Sequence, residues 1–160
     1  MMTPATLPFP ERVLTLDTST DRLSLAVGRP GDAPLAAHQG PGGAQASATL
    51  IPLIQTLLGQ VGWRLDELDA IAFGCGPGSF TGLRTACAVV QGLAVAARPA
   101  GLPVLPVNTL LAVAQAARAQ AAPLAVGQRV LAVLDARMDE LYVAEAEVVA
   151  TPATDGGTTA

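Results

Sequence analysis

The sequence contains no lysine. Its nine basic residues are all arginines, scattered without a basic run, and the net charge is −4. Nucleic-acid binders carry a basic stripe that displaces counterions from phosphates. Without one, strong direct binding of RNA or DNA by this chain alone is not expected. Histidine occurs once, at His38. A metal site built on H-x-x-x-H, with two imidazoles on one helix face, therefore cannot form. The two cysteines, Cys75 and Cys87, show no C-x-x-C spacing and have no neighbouring histidine. That argues against a zinc site or a disulfide framework and fits a reducing compartment. The first residues lack both a charged region and a long apolar region, so no signal peptide is expected. Gly, Pro or charge is expected to cut each apolar stretch before it could span a bilayer. The expected location is cytoplasmic, with no membrane partner. Aromatics make up only 3% of the chain, so its core must be built from Ala, Val and Leu.

What is present is apolar and glycine-rich. Apolar residues account for 51% of 160, enough for one real core plus a short appendage. Residues 1–10 are Pro-rich and expected to be flexible. Arg12–Leu16 reads as a buried strand that ends in the turn cluster Asp17-Thr-Ser-Thr-Asp21. Leu23, Leu25 and Val27 alternate with small residues and predict the second arm of a hairpin. Leu35–Gln39 is a weaker third strand. After Gly40–Gly43, the segment Thr49–Leu58 predicts a helix capped by Ser47 or Thr49, with Pro52 tolerated in its first turn. Leu68–Phe73 predicts a strand, Phe80–Ala97 a long helix stopped by Pro99, and Val104–Val107 another strand. A helix capped by Asn108 or Thr109 should run to about Ala121. Arg129–Leu134 and Leu141–Val149 predict a second hairpin around the turn Asp135–Glu140. The expected order is β-β-β-α-β-α-β-α-β-β, without an internal repeat. The tail 150–160 has no core-forming pattern and is expected to be disordered.

The central segment is Gly74-Cys-Gly-Pro-Gly-Ser-Phe-Thr-Gly82, between a strand and a helix. Amides at a helix N-terminus suit an anion. The named anion-binding motifs nevertheless each fail at a residue that carries their chemistry. A dinucleotide fingerprint needs glycine where Ser79 stands, a P-loop needs lysine where Leu83 stands, and a nucleophile elbow needs a different frame around Ser79. Asp17, Gly76, Gly78 and Ser79 remain weak candidates for cofactor contact. The alternative is a tight turn that lays the helix close to the sheet. Both long helices are over-apolar, which suggests burial on more than one side. Leu50, Leu53, Ile54 and Leu57 on the first, and Leu83, Arg84, Ala86, Val90, Leu93 and Ala94 on the second, are the expected partner interface. Arg84 could reach an anion or a partner carboxylate, or be a solvated charge. His38 is expected to be an exposed strand residue, and Asp17 an Asx-type cap on the first turn.

Val13-Leu-Thr-Leu-Asp-Thr-Ser19, Gly76-Pro-Gly-Ser-Phe-Thr-Gly-Leu-Arg84, Gly92-Leu-Ala94, Pro103–Asn108 and Val133-Leu-Asp-Ala-Arg137 resemble the TsaB (YeaZ) family, in order from about residue 12 to 149. The resemblance implies an α/β actin-like ATPase fold of the ribonuclease H-like kind: an N-terminal domain over 11–107 and an abbreviated second lobe over 108–149. It implies a scaffold subunit in the threonylcarbamoylation of tRNA adenosine 37, without catalysis or cofactor of its own. It implies pairing with TsaD through the first domain's two helices, homodimers through the same face, TsaE in a larger complex, and room for ATP or ADP in the complex. Two departures accompany it. Gln45-Ala46-Ser47 stands where relatives often carry His-Ser, and relatives usually continue into a fuller second domain. Two other readings compete. One is an actin-like phosphotransferase or ATPase using Asp17 and the turn amides. The other, remote, is a peptidase-like protein with Cys75 and His38 as its only conceivable pair.

Overall fold

The computed structural model describes residues 9–120 and 124–150. The expected flexible start falls on residues 1–8 and the expected tail on 151–160, outside the described residues but for 9–10 and 150. The chain forms two compact units, Met1–Thr109 and Leu110–Ala160.

The first unit holds β1 (Val13–Asp17), β2 (Arg22–Gly28), β3 (Ala36–Pro41), α1 (Ala46–Val61), β4 (Ala70–Gly76), α2 (Phe80–Ala97) and β5 (Val104–Asn108). Its sheet runs β3-β2-β1-β4-β5. β1, β2 and β3 pair antiparallel, whereas β1–β4 and β4–β5 are parallel, so α2 is the crossover of a β4–α2–β5 unit. The register Leu14 opposite Val27 and Ile71, and Leu16 opposite Leu25 and Phe73, puts the large residues on one face. Leu50, Ile54, Leu57 and Leu58 of α1 and Ala86, Val90 and Ala94 of α2 pack onto that face. Burying such an aliphatic side chain contributes about 1.5–3 kcal/mol. The opposite alternation, Thr15, Ser24, Ala26 and Ala72, is small or polar.

The first helix departs from expectation. It opens three residues early, out of a 3₁₀ turn at Gly43–Gln45, and no side chain caps it. Thr49 is inside the helix and its Oγ1 donates back to the Gln45 carbonyl at 3.1 Å. Pro52 therefore sits in the second turn rather than the first. The chain accepts it there because Leu50, Ile54 and Leu57 anchor both sides of it in the core. Gly62, with φ of 68°, ends the helix, and Trp63 N donates to the Leu58 carbonyl at 3.0 Å. Ser79 caps α2, and Arg98, extended before Pro99, terminates it. Contrary to the expectation that every apolar stretch is cut short, α2 is long and apolar enough, by length and composition alone, to cross a membrane. Here Gly82, Ala86, Val90 and Ala94 of its inner side are buried in the first unit.

The second unit holds α3 (Thr109–Gln120), which begins on the last residue of the first unit, and the hairpin β6 (Arg129–Arg137) with β7 (Glu140–Glu147). Leu110, Ala114 and Ala132 form its small core. The hairpin turn is tighter than expected. Only Met138 and Asp139 separate the strands, and Arg137, Met138 and Asp139 all take left-handed backbone with φ between 54° and 67°. Such turns usually announce themselves with Asn-Gly. This one has no glycine, so the sequence shows a longer turn than exists.

Candidate functional site

The glycine segment closes onto the end of β1. Gly76, with φ of 105°, leads through a cis Gly76–Pro77 bond into the turn. Ser79 N donates to the Ser19 carbonyl at 2.6 Å, Gly82 N to Ser79 Oγ at 3.4 Å, and Leu83 N to the Ser79 carbonyl at 2.9 Å. Thr18, fully buried, donates from Oγ1 to the Gly82 carbonyl at 2.8 Å. These amides of the turn thus bond to the chain's own oxygens. A Cβ on Gly74 would overlap the Asp17 carboxylate, and one on Gly82 would overlap the Thr18 carbonyl. The two glycines let β1, β4 and α2 meet at backbone distance.

Asp17 is half-buried at this junction. Its Oδ1 accepts from Ser19 N and its Oδ2 from Ser19 Oγ, both at 2.9 Å, which makes an Asx turn. Ser19 Oγ also lies 3.0 Å from Thr109 Oγ1. The candidates Asp17, Gly76, Gly78 and Ser79 therefore converge, together with Thr18 and Ser19, which the sequence marked only as a turn, and Thr109, which it marked only as a helix cap. Their visible work is to clasp strand to helix. His38 stands apart on β3, opposite Leu25, and is half-buried rather than exposed. It lines a hollow with Gln45, Thr49, Pro52 and Leu53. Among the described residues, no three His, Cys, Asp or Glu side chains converge as a metal site would require.

The expected interface residues divide in two. Leu50, Ile54, Leu57, Ala86, Val90 and Ala94 are core residues, none more than 7% exposed, and so cannot meet a partner. Leu53, Leu83 and Leu93 are half-buried at the flanks, and Arg84 is exposed. The outward surfaces are instead formed by Ala48, Ile51, Gln55 and Gly59 of α1, and by Phe80, Arg84, Ala88, Gln91, Gly92 and Val95 of α2. The helical spacing of Leu50, Ile54, Leu57 and Leu58 does mark the inner side of α1. The residues alone did not say that this side meets the chain's own sheet, because the opposite side is small and uncharged and offers no better candidate for burial.

Two of those outward residues are glycines inside helices. A Cβ added to Gly59 or to Gly92 would meet nothing within 4 Å. Each costs its helix about 0.5–1 kcal/mol relative to alanine, and no packing among the described residues explains either.

Residues 37–156 match the family model described as TsaD, tRNA N6-adenosine threonylcarbamoyltransferase. The tRNA threonylcarbamoyladenosine biosynthesis protein TsaB of Escherichia coli is 39% identical over 135 residues, covering 84% of this chain and 54% of that protein. The TsaB protein of Haemophilus influenzae is 40% identical over 135 residues, covering 83% and 52%. The solved structure of YeaZ from Pseudomonas aeruginosa superposes with a TM-score of 0.73 at 40% identity, over 86% of this chain and 60% of that one. A second solved structure, of an uncharacterized protein with similarity to peptidase YeaZ from Pseudomonas aeruginosa, gives 0.72 at 36% identity, over 93% and 73%.

The chain belongs to the TsaB (YeaZ) family. Its five-stranded mixed sheet with helices is the actin-like, ribonuclease H-like fold of YeaZ. The chain spans about half the length of the curated TsaB relatives it matches. Within this TsaB-family fold, the run from Gly76 to Arg84 has a definite task. Gly82 admits the Thr18 carbonyl, Ser79 caps α2, and the helix leaves the turn with Phe80 and Arg84 pointing outward.

Proposed function

We propose that this chain is a non-catalytic partner subunit in the synthesis of threonylcarbamoyladenosine at tRNA adenosine 37, working in the cytoplasm. It binds a TsaD-family protein through the outer faces of α1 and α2, and TsaE joins in a larger complex. The single observation that carries the reading is the pair of helical glycines facing open space. Gly59 and Gly92 weaken the isolated helices, and their use lies in letting another backbone approach closely. Ala88 and Ala96, one turn either side of Gly92, keep that approach clear. A second copy of the chain can use the same face, so homodimer and heterodimer compete.

The chemistry belongs to the partner in this reading. The chain has one histidine, and the amides of Ser79 and Gly82 in the turn already bond to oxygens of Ser19 and Ser79. ATP or ADP is then a ligand of the complex rather than of this chain.

Co-elution tests the reading. The purified chain and its cognate TsaD, mixed at micromolar concentration, should elute together in size-exclusion chromatography. Separate elution would sink the proposal. Titration with ATP and Mg²⁺ supplies the counter-test: micromolar affinity without TsaD would favour a nucleotide enzyme instead.

A further inference from the structure

Arg84 is the one charged residue in α1 and α2 together. Its guanidinium carbon lies 3.9 Å from the centroid of the Phe80 ring, and Phe80 is 68% exposed. The ion pairs among the described residues are Arg12–Glu67, Arg64–Asp66 and Arg129–Glu145, and none of them includes Arg84. An exposed cation–ring pair adds only about 0.5–1 kcal/mol to the chain's own stability. A cation near a helix N-terminus faces the positive end of the helix dipole, and the ring stands in water. Exposed aromatic and arginine side chains at the end of a smooth helical ridge are instead typical anchors of association.

Resting on the partner reading above, we propose that Arg84, held in place by Phe80, is a specificity residue that selects a carboxylate-bearing partner over a second copy of this chain. A copy docked through the same two helices brings no Asp or Glu, because α1 and α2 contain none. Of the acids that follow α1, Asp66 accepts from Arg64 at 2.9 Å and Glu67 faces Arg12 at 3.4 Å, so each already has a counter-charge. In a homodimer whose contact is confined to α1 and α2, Arg84 would lose water without gaining a counter-charge, which penalises that assembly. A partner helix that presents a carboxylate at the N-terminal end of α2 would meet a guanidinium fork already ordered by the ring. Small residues along the ridge then set how closely the partner lies, and Arg84 sets which partner it is.

Two measurements on the full-length chain separate the outcomes. Affinity for cognate TsaD is read by calorimetry at two salt concentrations. Self-association is read by sedimentation over a concentration series. Arg84→Ala should weaken TsaD binding about tenfold or more and flatten its salt dependence. It should leave self-association unchanged or tighten it. Arg84→Lys should recover only part of the loss, since charge returns without the fork. Arg84 is exposed, and matching thermal melts will show that the variants fold. The proposal is overturned if Arg84→Ala binds TsaD as the wild type does, or if self-association falls in parallel with TsaD binding. Failure of the wild type itself to bind TsaD would instead remove the partner reading, and this one with it.

Discussion

At the scale of single residues, the tightest constraint is Gly82. Its α-carbon lies where Thr18 brings a buried carbonyl against the first turn of α2, and Thr18 Oγ1 bonds the Gly82 carbonyl in return. Any side chain there must push β1 away from α2. Gly82→Ala should therefore destabilise the chain by at least about 2 kcal/mol, read by urea denaturation. Asp69 carries a different kind of constraint. Its Oδ2 accepts from the backbone N–H of Arg12 at 2.8 Å and of Glu11 at 2.9 Å, tying the chain before β1 to the chain before β4. The Arg12 amide, more than burial opposes it, holds this carboxyl below the ordinary aspartate value of 3.8. A carboxyl depressed in the folded state adds stability above its unfolded value and loses it as pH falls through the folded one. Asp69→Asn should accordingly lower the melting temperature at pH 7. The gap to wild type should narrow as pH drops below 3.8, and a gap that stays constant with pH would count against this account.

At the scale of elements, α1 and α2 each have two unlike sides. The inner side is aliphatic and fills the core; the outer side is small and nearly uncharged. The outer side carries the opposite stability logic from the inner. Gly92→Ala should raise the stability of the isolated chain by about 0.5–1 kcal/mol in thermal unfolding, because open space surrounds the site and the helix gains propensity. Glycine there is thus kept against the helix's own interest. The placement of both helices was legible from their sequence, whereas the cap at Ser79 came only with the structure. The start of α1 was not legible either. Ser47 and Thr49 have the chemistry of caps, yet the 3₁₀ turn at Gly43–Gln45 feeds the helix from upstream and draws them inside it.

At the scale of the whole molecule, the two units keep separate cores. Every residue of the larger core lies at or before Val104, and the smaller core is made of residues between Leu110 and Ala146. A chain ending at Thr109 should therefore retain one cooperative thermal transition. A broad, non-cooperative melt would mean that the first unit depends on the second. The second unit is thinly provisioned: α3 meets the hairpin through mostly small side chains, while Leu131, Val133, Leu141 and Val143 stand at 41–64% exposure on alternate positions of β6 and β7. A two-stranded hairpin with one helix is near the lower limit of independent stability. The first unit is the better founded of the two, and the proposed partner face lies on it.

The sequence by itself determined the order of strands and helices, the absence of an imidazole pair, the glycine turn and the family. Each of these depends on residue type and spacing along the chain, which are local. Only the tertiary structure decided which side of each helix is free. The spacing of Leu50, Ile54, Leu57 and Leu58 marks one face of α1, but nothing along that helix says whether this face meets the chain's own sheet or a partner. That choice is made by the register of β1 against β2 and β4, which gathers Leu14, Leu16 and Ile71 on one face and draws the larger side chains of both helices down onto it. What the sheet leaves uncovered is a ridge of small residues that ends in Phe80 and Arg84.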